Sequence, residues 1–343
     1  MIDTKRLIGG GQCDCLNTIR LLAAIEVVYG HVVTHFEIGE IPVLGDFLRF
    51  FMGVPLFFTL SGFLIWQSIG RSKTFGEYCK KRFWRIYPEL WAAVIVELIV
   101  LLLLYHQPIN WPQFGMFAVT QSTIFQFWTP DCLRGYGCGC PNGALWTICV
   151  LIQFYIVAYP AYKLLHGKKN WIWICTIVAF IALGAATETI RSHMPTMVGK
   201  LYGQTFIPYF WLFIMAAFVA EKKDKVIPFV TKWWWVLVIL CLLKKYLHVP
   251  DISIPYYYPL IGSTLLFFAA LGIGYALPRL NVKTDISYGI YIYHMTVVNA
   301  MLTFGLVHNQ WYFAIALAVT CLLAWVSTKT IGELSKKMKY RNT

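Results

Sequence analysis

The sequence predicts an all-α, polytopic membrane protein with about ten transmembrane helices and both termini in the cytoplasm. Three observations carry that expectation. Hydrophobic residues make up 58% of the 343 residues and charged residues 13%, whereas a soluble domain of this size carries about 25% charged residues; mean hydropathy is +0.61. The apolar stretches run to about 20 residues, enough to cross a bilayer as a helix, where a β-barrel would show short alternating segments. The basic residues gather on alternate connections, which is the positive-inside pattern.

Taken in order, the first expected span, 16–36, is the apolar run that holds Arg20, Glu26, His31 and His35. The second, 47–69, is rich in phenylalanine and contains Ser61-Gly62. A basic inner loop, Arg71 to Arg85, separates it from the third, 86–105. A long outer loop, 106–144, rich in Gly, Pro, Cys and aromatics, leads into 145–165. The remaining spans are 171–187, 204–220, 233–249, 256–277, 286–307 and 311–331. Lys5/Arg6, Lys168/Lys169, Lys222/Lys223/Lys225, Arg279/Lys283 and Lys336 to Arg341 then fall inside, and Arg134, Arg191 and Lys200 outside. The polar outer segment Thr187 to Gln204 is placed to cover an outer mouth. No cleavable signal peptide precedes the first span. Residues 1–343 read as one membrane-embedded domain without linker or repeat, ending about a dozen residues after the last span, so no appended soluble domain is expected.

The net charge of +13 is accounted for by topology. Nucleic acid is excluded as a partner because no soluble basic domain exists to bind it. Five of the ten cysteines (Cys79, Cys149, Cys175, Cys241, Cys321) lie in or beside spans, as small buried hydrophobes. Cys132, Cys138 and Cys140 cluster in the outer loop, where one disulfide would leave one thiol over. Cys13-Asp-Cys15 is spaced too closely for a usual zinc pair, and no metal is expected.

Arg20 and His31 are the most informative residues. Eleven helical steps return to within about 20° of the start and rise roughly 16 Å, so both side chains share one face of the first span. A cation and an imidazole persist there when that face looks into a polar cavity or protein interior, and intramembrane ionisable residues are functional by default. His35 follows one turn on, nearer the outer surface. Glu26 lies about 140° round the helix from His31 and is expected to pair with another helix. Arg82 and Arg85, three residues apart at the cytoplasmic mouth, suit a phosphate-bearing ligand, although positive-inside anchoring explains such a pair equally well. Ser61 and Gly62 fit close packing by a neighbouring helix. Ile286 to His294 brings a second intramembrane histidine together with Tyr288, Tyr291 and Tyr293.

Together these stretches resemble the acyltransferase 3 family of integral-membrane acyltransferases, over about residues 14–325. Arg20 and His31 match the family's Arg-ten residues-His pattern. Gly53, Val54, Phe57, Phe58, Ser61, Gly62 and Phe63 are similar to its Gly-Val-x-x-Phe-Phe-x-x-Ser-Gly-Phe block. Arg82-Phe-Trp-Arg85 resembles its Arg-x-x-Arg signature, and Leu145-Trp146-Thr147 with Gln153-Phe154-Tyr155 its Leu-Trp-Ser/Thr…Phe-Tyr segment. Ser287-Tyr288-Gly289-Ile-Tyr291 with His294 resembles its Ser-Tyr-Gly-x-Tyr-x-x-His element. Two positions depart from the pattern. Asn17 stands where relatives often have an acidic residue, and Leu151 where they often have a glutamate; Glu26, Glu97 and Gln153 are the candidates to replace the latter.

The resemblance implies transfer of an acyl group, most often acetyl, from a cytoplasmic coenzyme A thioester to a hydroxyl of a cell-surface glycan or its lipid-linked precursor. The enzyme would sit in the cytoplasmic membrane, with acyl-CoA as donor substrate and no permanently bound cofactor. His31 and Arg20 would be catalytic, and Arg82 and Arg85 would bind the donor. His294, Ser61, Tyr288, Tyr291, Trp146, Gln153 and His35 would surround the acceptor or support the site. On composition alone, a glycan or small-metabolite transporter or flippase is the alternative, weakened by the lack of paired broken spans in two halves.

Overall fold

The computed structural model describes residues 14–254 and 258–340. Lys5, Arg6, Cys13, Arg341 and the start of the expected span 256–277 lie outside the described residues. The chain is all-α. In order, the helices are α1 (Leu16–His35), α2 (Leu44–Arg49), α3 (Gly53–Gly70), α4 (Phe75–Leu104), α5 (Trp111–Gln121), α6 (Trp146–Leu165), α7 (Asn170–Ala185) and α8 (Thr187–Ser192). They continue as α9 (Thr196–Tyr202), α10 (Phe210–Glu221), α11 (Lys223–Lys232), α12 (Trp234–Tyr246), α13 (Leu260–Ala276), α14 (Ser287–Thr303), α15 (Trp311–Ser327) and α16 (Glu333–Tyr340).

Among the described residues, five segments are long and apolar enough to cross a membrane: Leu16–His35, Leu44–Gly70, Phe75–Leu104, Gly143–Leu165 and Trp311–Met338. Counting each of two bent pairs as one span gives up to seven; α9 with Ile207–Glu221 bends by 44°, and α11 with α12 by 72°. The expected spans 171–187, 256–277 and 286–307 are helices of 16, 17 and 17 residues. At about 1.5 Å per residue, each is a few ångströms shorter than a ~30 Å hydrocarbon core.

The basic stretch read as a loop before residue 86 is helical from Phe75. Thr74 caps α4 by accepting from the Glu77 amide at 3.1 Å, and Glu77 pairs with Lys81 one turn on. The segment 106–144, read as an outer loop, is likewise ordered. Asn110 caps α5 by accepting from the Gln113 amide, and Leu101, Phe114, Phe117, Leu133 and Tyr136 form an apolar cluster beneath it. Cys132, Cys138 and Cys140 are free thiols. The Cys138 thiol faces the Cys140 carbonyl at 3.6 Å and the Cys140 thiol faces Thr129 Oγ1 at 3.2 Å, so the expected disulfide is absent from this arrangement. Of the cysteines read as buried, Cys149 is; Cys79 and Cys175 are exposed.

The described chain divides into two compact units interleaved in sequence. One comprises the residues up to Arg20, Phe51–Lys73 and Gln153–Thr284; the other comprises Leu21–Phe50, Thr74–Ile152 and the residues from Asp285. In the first, α3 lies against α10 so closely that a Cβ on Gly62 would sit 2.2 Å from the Phe213 carbonyl oxygen. Phe58, Phe154, Phe210 and Phe213 pack around that crossing. Small residues at such crossings let helix backbones meet where lipid supplies no hydrophobic drive. Gly62→Val is therefore expected to part α3 from α10 at a cost of about 3 kcal/mol. Thermal unfolding in detergent reads this; a midpoint unchanged from wild type would refute it.

In the second unit α14 packs on α15 and α4. Asp285 starts α14, its Oδ1 accepting from the Ser287 amide and hydroxyl. Between α15 and α16 the chain forms one π-helical segment, Thr328–Gly332, which lies against Glu89.

Candidate active site

The second unit gathers three histidines. The His31 ring is stacked on His35, centroids 5.6 Å apart, and lies 5.1 Å from the His294 ring at a 41° tilt. His294 is fully buried, and its Nδ1 lies 2.7 Å from the Tyr291 carbonyl one turn back. A carbonyl can only accept, so Nδ1 carries the proton and Nε2 keeps its lone pair. That Nε2 is buried with no hydrogen-bond partner. An unprotonated, unsatisfied ring nitrogen beside His31 is a group able to receive or orient a proton.

Tyr291 supports this pair from below. Its hydroxyl donates to the Ala144 carbonyl at 3.1 Å and lies 2.5 Å from Thr147 Oγ1. The Leu-Trp-Thr segment at the start of α6 is thus tied to the Tyr-x-x-His turn of α14; Trp146 beside it is half-buried. Asn142 extends the tie by donating to the Ile292 carbonyl at 3.0 Å. Asn299 adds three bonds to the same loop: its Oδ1 accepts from the Cys138 amide, and its Nδ2 donates to the carbonyls of Cys140 and Pro141.

Arg85 faces carboxylates. Its guanidinium is 3.5 Å from Asp285 and 4.0 Å from Glu89, and it lies over the Tyr288 ring at 5.5 Å. The Tyr288 hydroxyl donates to the Ile86 carbonyl, holding α14 to α4. Arg82 lies over the Tyr78 ring.

Arg20, Ser61 and Gln153 belong to the first unit, and Glu26 to the second. Arg20 sits on the same continuous helix as His31, on the stretch that belongs to the first unit. Ser61 is partly buried on α3, next to the Gly62 crossing. Gln153 bridges the chain locally, its Nε2 donating to the Gln204 carbonyl and its Oε1 accepting from the Phe206 amide. Glu26 pairs with Arg49 on α2 at 3.3 Å, as the helix geometry implied. Glu40, outside the spans, also holds Arg49 and accepts from Tyr29 Oη at 2.7 Å. Burial pushes its carboxyl up, but the Tyr29 and Arg49 hydrogen bonds outweigh this and hold it below the usual range.

An all-α protein with multiple candidate membrane spans is an integral membrane protein. The chain belongs to the acyltransferase 3 family: residues 14–329 match the family, which is described as an acyltransferase domain. It is 27% identical to nodulation protein 10 of Rhizobium leguminosarum bv. viciae, over 96% of this chain and 95% of that one. It is 25% identical to an O-acetyl transferase of Shigella phage Sf6, over 91% and 92% of the two chains. It is 23% identical to the peptidoglycan O-acetyltransferase OatA of Listeria monocytogenes serovar 1/2a, over 95% of this chain and 56% of OatA. No solved structure matches the chain.

Proposed function

We propose that the chain is a membrane O-acyltransferase that moves an acetyl group from a cytoplasmic acyl-CoA thioester to a hydroxyl of a cell-surface polysaccharide or its lipid-linked precursor. The observation that carries this reading is the pairing of half-buried His31 with fully buried His294, 5.1 Å between centroids, in a family with relatives named as O-acetyltransferases. His31 acts as general base. It takes the proton of the acceptor hydroxyl as that oxygen bonds to the thioester carbonyl carbon. The tetrahedral intermediate collapses with cleavage of the carbon–sulfur bond, and the proton passes from His31 to the departing thiolate. In this reading His294 Nε2, which has no hydrogen-bond partner in the resting structure, accepts from the other His31 ring N–H in the reacting complex and so holds His31 in the tautomer that accepts.

Arg82 and Arg85 bind donor phosphates in this reading. Because Asp285 and Glu89 already face Arg85, an arriving phosphate exchanges one set of oxygens for another. Arg20 assists catalysis, and Tyr288, Tyr291, Trp146, His35, Ser61 and Gln153 serve the acceptor or support the site. The chain crosses the cytoplasmic membrane about ten times with both ends inside, a reading supported by the alternating basic connections.

The test uses membranes containing the full chain, acetyl-coenzyme A labelled in its acetyl group, and glycan lipids from the source cells. Acceptor-dependent label in glycan with matching release of coenzyme A thiol is the expected outcome. Uptake of glycan into sealed vesicles, independent of acyl donor and without labelled product, would overturn the proposal in favour of a carrier.

A further inference from the structure

Arg85 of α4 meets carboxylates from two elements, Asp285 at the start of α14 and Glu89 one turn on along its own helix. The Arg85 side chain is 34% exposed, Asp285 16% and Glu89 8%. A ligand that reaches Arg85 from solvent therefore meets Asp285 before Glu89. Glu89 is turned inward to the π-helical segment: Thr328 Oγ1 donates to it at 3.5 Å, and a Cβ on Gly332 would stand 3.0 Å from its Oε1.

The two oxygens of Asp285 have different tasks. Oδ1 accepts from the Ser287 amide at 3.0 Å and from the Ser287 hydroxyl, closing the first turn of α14. Oδ2 faces Arg85 Nη2 at 3.5 Å. The carboxylate is short and anchored by the Ser287 donors, and the helix N-terminus favours its charge. The arginine side chain is long, and its contacts with Asp285 and the Tyr288 ring, at 3.5 and 5.5 Å, are loose. The two helices are fastened independently of it, by the Tyr288 hydroxyl donating to the Ile86 carbonyl. The guanidinium can thus change partners while α4 and α14 stay in place. To its fork of N–H donors, a carboxylate and a phosphate both offer a pair of anionic oxygens.

We propose that Asp285 is the internal stand-in for a donor phosphate: it neutralises Arg85 in the empty site, yields it when a phosphate arrives, and takes it back as the product coenzyme leaves. The role rests on the acyltransferase reading, in which Arg85 binds the donor. A partly buried cation keeps a counter-ion between turnovers, and each phosphate-bearing ligand binds against a charge that never leaves the site. Asp285 is a specificity-determining residue on this account. It weakens the coenzyme enough to release the product, and it acts on phosphate alone.

The experiment uses the full chain in lipid nanodiscs and the variant Asp285→Asn. The new side chain retains an oxygen to accept from Ser287 but has no charge to set against Arg85. Coenzyme A, titrated by calorimetry, is expected to bind Asp285→Asn about threefold to tenfold tighter than wild type, the effect of removing one partly exposed charge beside the phosphate. In transfer assays the KM for acetyl-coenzyme A is expected to fall by a similar factor, and inhibition by free coenzyme A to strengthen by it. S-acetyl pantetheine, the same thioester arm without phosphate, is expected to keep its wild-type KM. In an Arg85→Gln background Asp285→Asn should lose most of its effect, since the two residues act as a pair. Asp285→Ala, which also lacks the acceptor for Ser287, is expected to lower the thermal midpoint, whereas Asp285→Asn leaves it in place.

Weaker or unchanged coenzyme A binding by Asp285→Asn would overturn the proposal. So would an equal shift for S-acetyl pantetheine, which would make Asp285 a structural residue only. Tighter coenzyme A binding by Asp285→Asn, with no acetyl transfer by any form, would count against the acyltransferase reading and leave the stand-in role in force. Coenzyme A binding by no form, wild type included, would overturn both.

Discussion

His31→Ala is expected to slow acyl transfer by at least about 100-fold while leaving the protein folded in the membrane, because a positioned general base contributes roughly 10²–10⁴ in rate. Converted to a barrier, that is about 3–5 kcal/mol. The companion variant is His294→Phe. It keeps a ring in the buried position but removes Nε2, the nitrogen left with a lone pair once Nδ1 is bound to the Tyr291 carbonyl. If His294 orients His31, this variant loses most of the activity at an unchanged thermal midpoint, and combining it with His31→Ala costs little more than His31→Ala alone. Such non-additivity is the mark of residues acting as a unit. Single-turnover assays with labelled acetyl-coenzyme A, normalised to folded protein, provide the measurement. Equal rates for wild type and His31→Ala would make His31 a packing residue. A labelled acetyl adduct trapped on His31 by rapid quench without acceptor would replace the general-base route by covalent transfer.

His31 stands out in the sequence as a candidate because a membrane span makes an ionisable residue conspicuous, and the eleven-residue spacing from Arg20 is intrinsic to the helix. Its contact with His294 could not, since 263 residues separate them and no local pattern encodes which helices meet. Glycine 62 was legible for the same reason as His31: a small residue in an aromatic span has packing as its physical use, and the structure puts Phe213 there. The start of α4 was also written in the chain. Thr74 with Glu77 three residues on is a capping signature, and the density of positive charge obscured it. Arg85 illustrates the opposite difficulty. An arginine in a basic stretch beside a span looks free for phosphate until Asp285, 200 residues away, is found beside it.

The outer loop was recognised as long and unusual, but what orders it carried no motif. Asn299 is fully buried on α14, and an asparagine inside an apolar helix was the signal that could have been read. Its side chain satisfies one amide and two carbonyls of the loop at 2.7–3.0 Å. Gly137 completes the fit: it has φ +53°, and a Cβ there would stand 2.0 Å from Asn299 Oδ1. Side chains other than glycine rarely adopt that backbone conformation, so the position is closed on two counts.

Asn299→Leu preserves volume and removes all three bonds. With about 1–3 kcal/mol for each buried group left unsatisfied, the expected loss is roughly 3–6 kcal/mol, a large share of the ~5–15 kcal/mol that holds a typical protein together. Gly137→Ala attacks the same contact from the loop side and should add little to Asn299→Leu, since both release one docking. The loop reports its own release. Burial pushes the Cys138 and Cys140 thiols up, which leaves them poor nucleophiles while the loop is docked. A membrane-impermeant maleimide applied to intact cells should therefore label these thiols slowly in wild type and quickly in Asn299→Leu. Fast labelling of Asn299→Leu from outside would also place the loop on the outer face. Equal labelling of wild type and variant would mean that Asn299 does not hold the loop. Transfer activity should fall with the docking, because the loop that Asn299 anchors continues through Asn142 and Ala144 to Ile292 and Tyr291, the turn of α14 that sets His294 against His31.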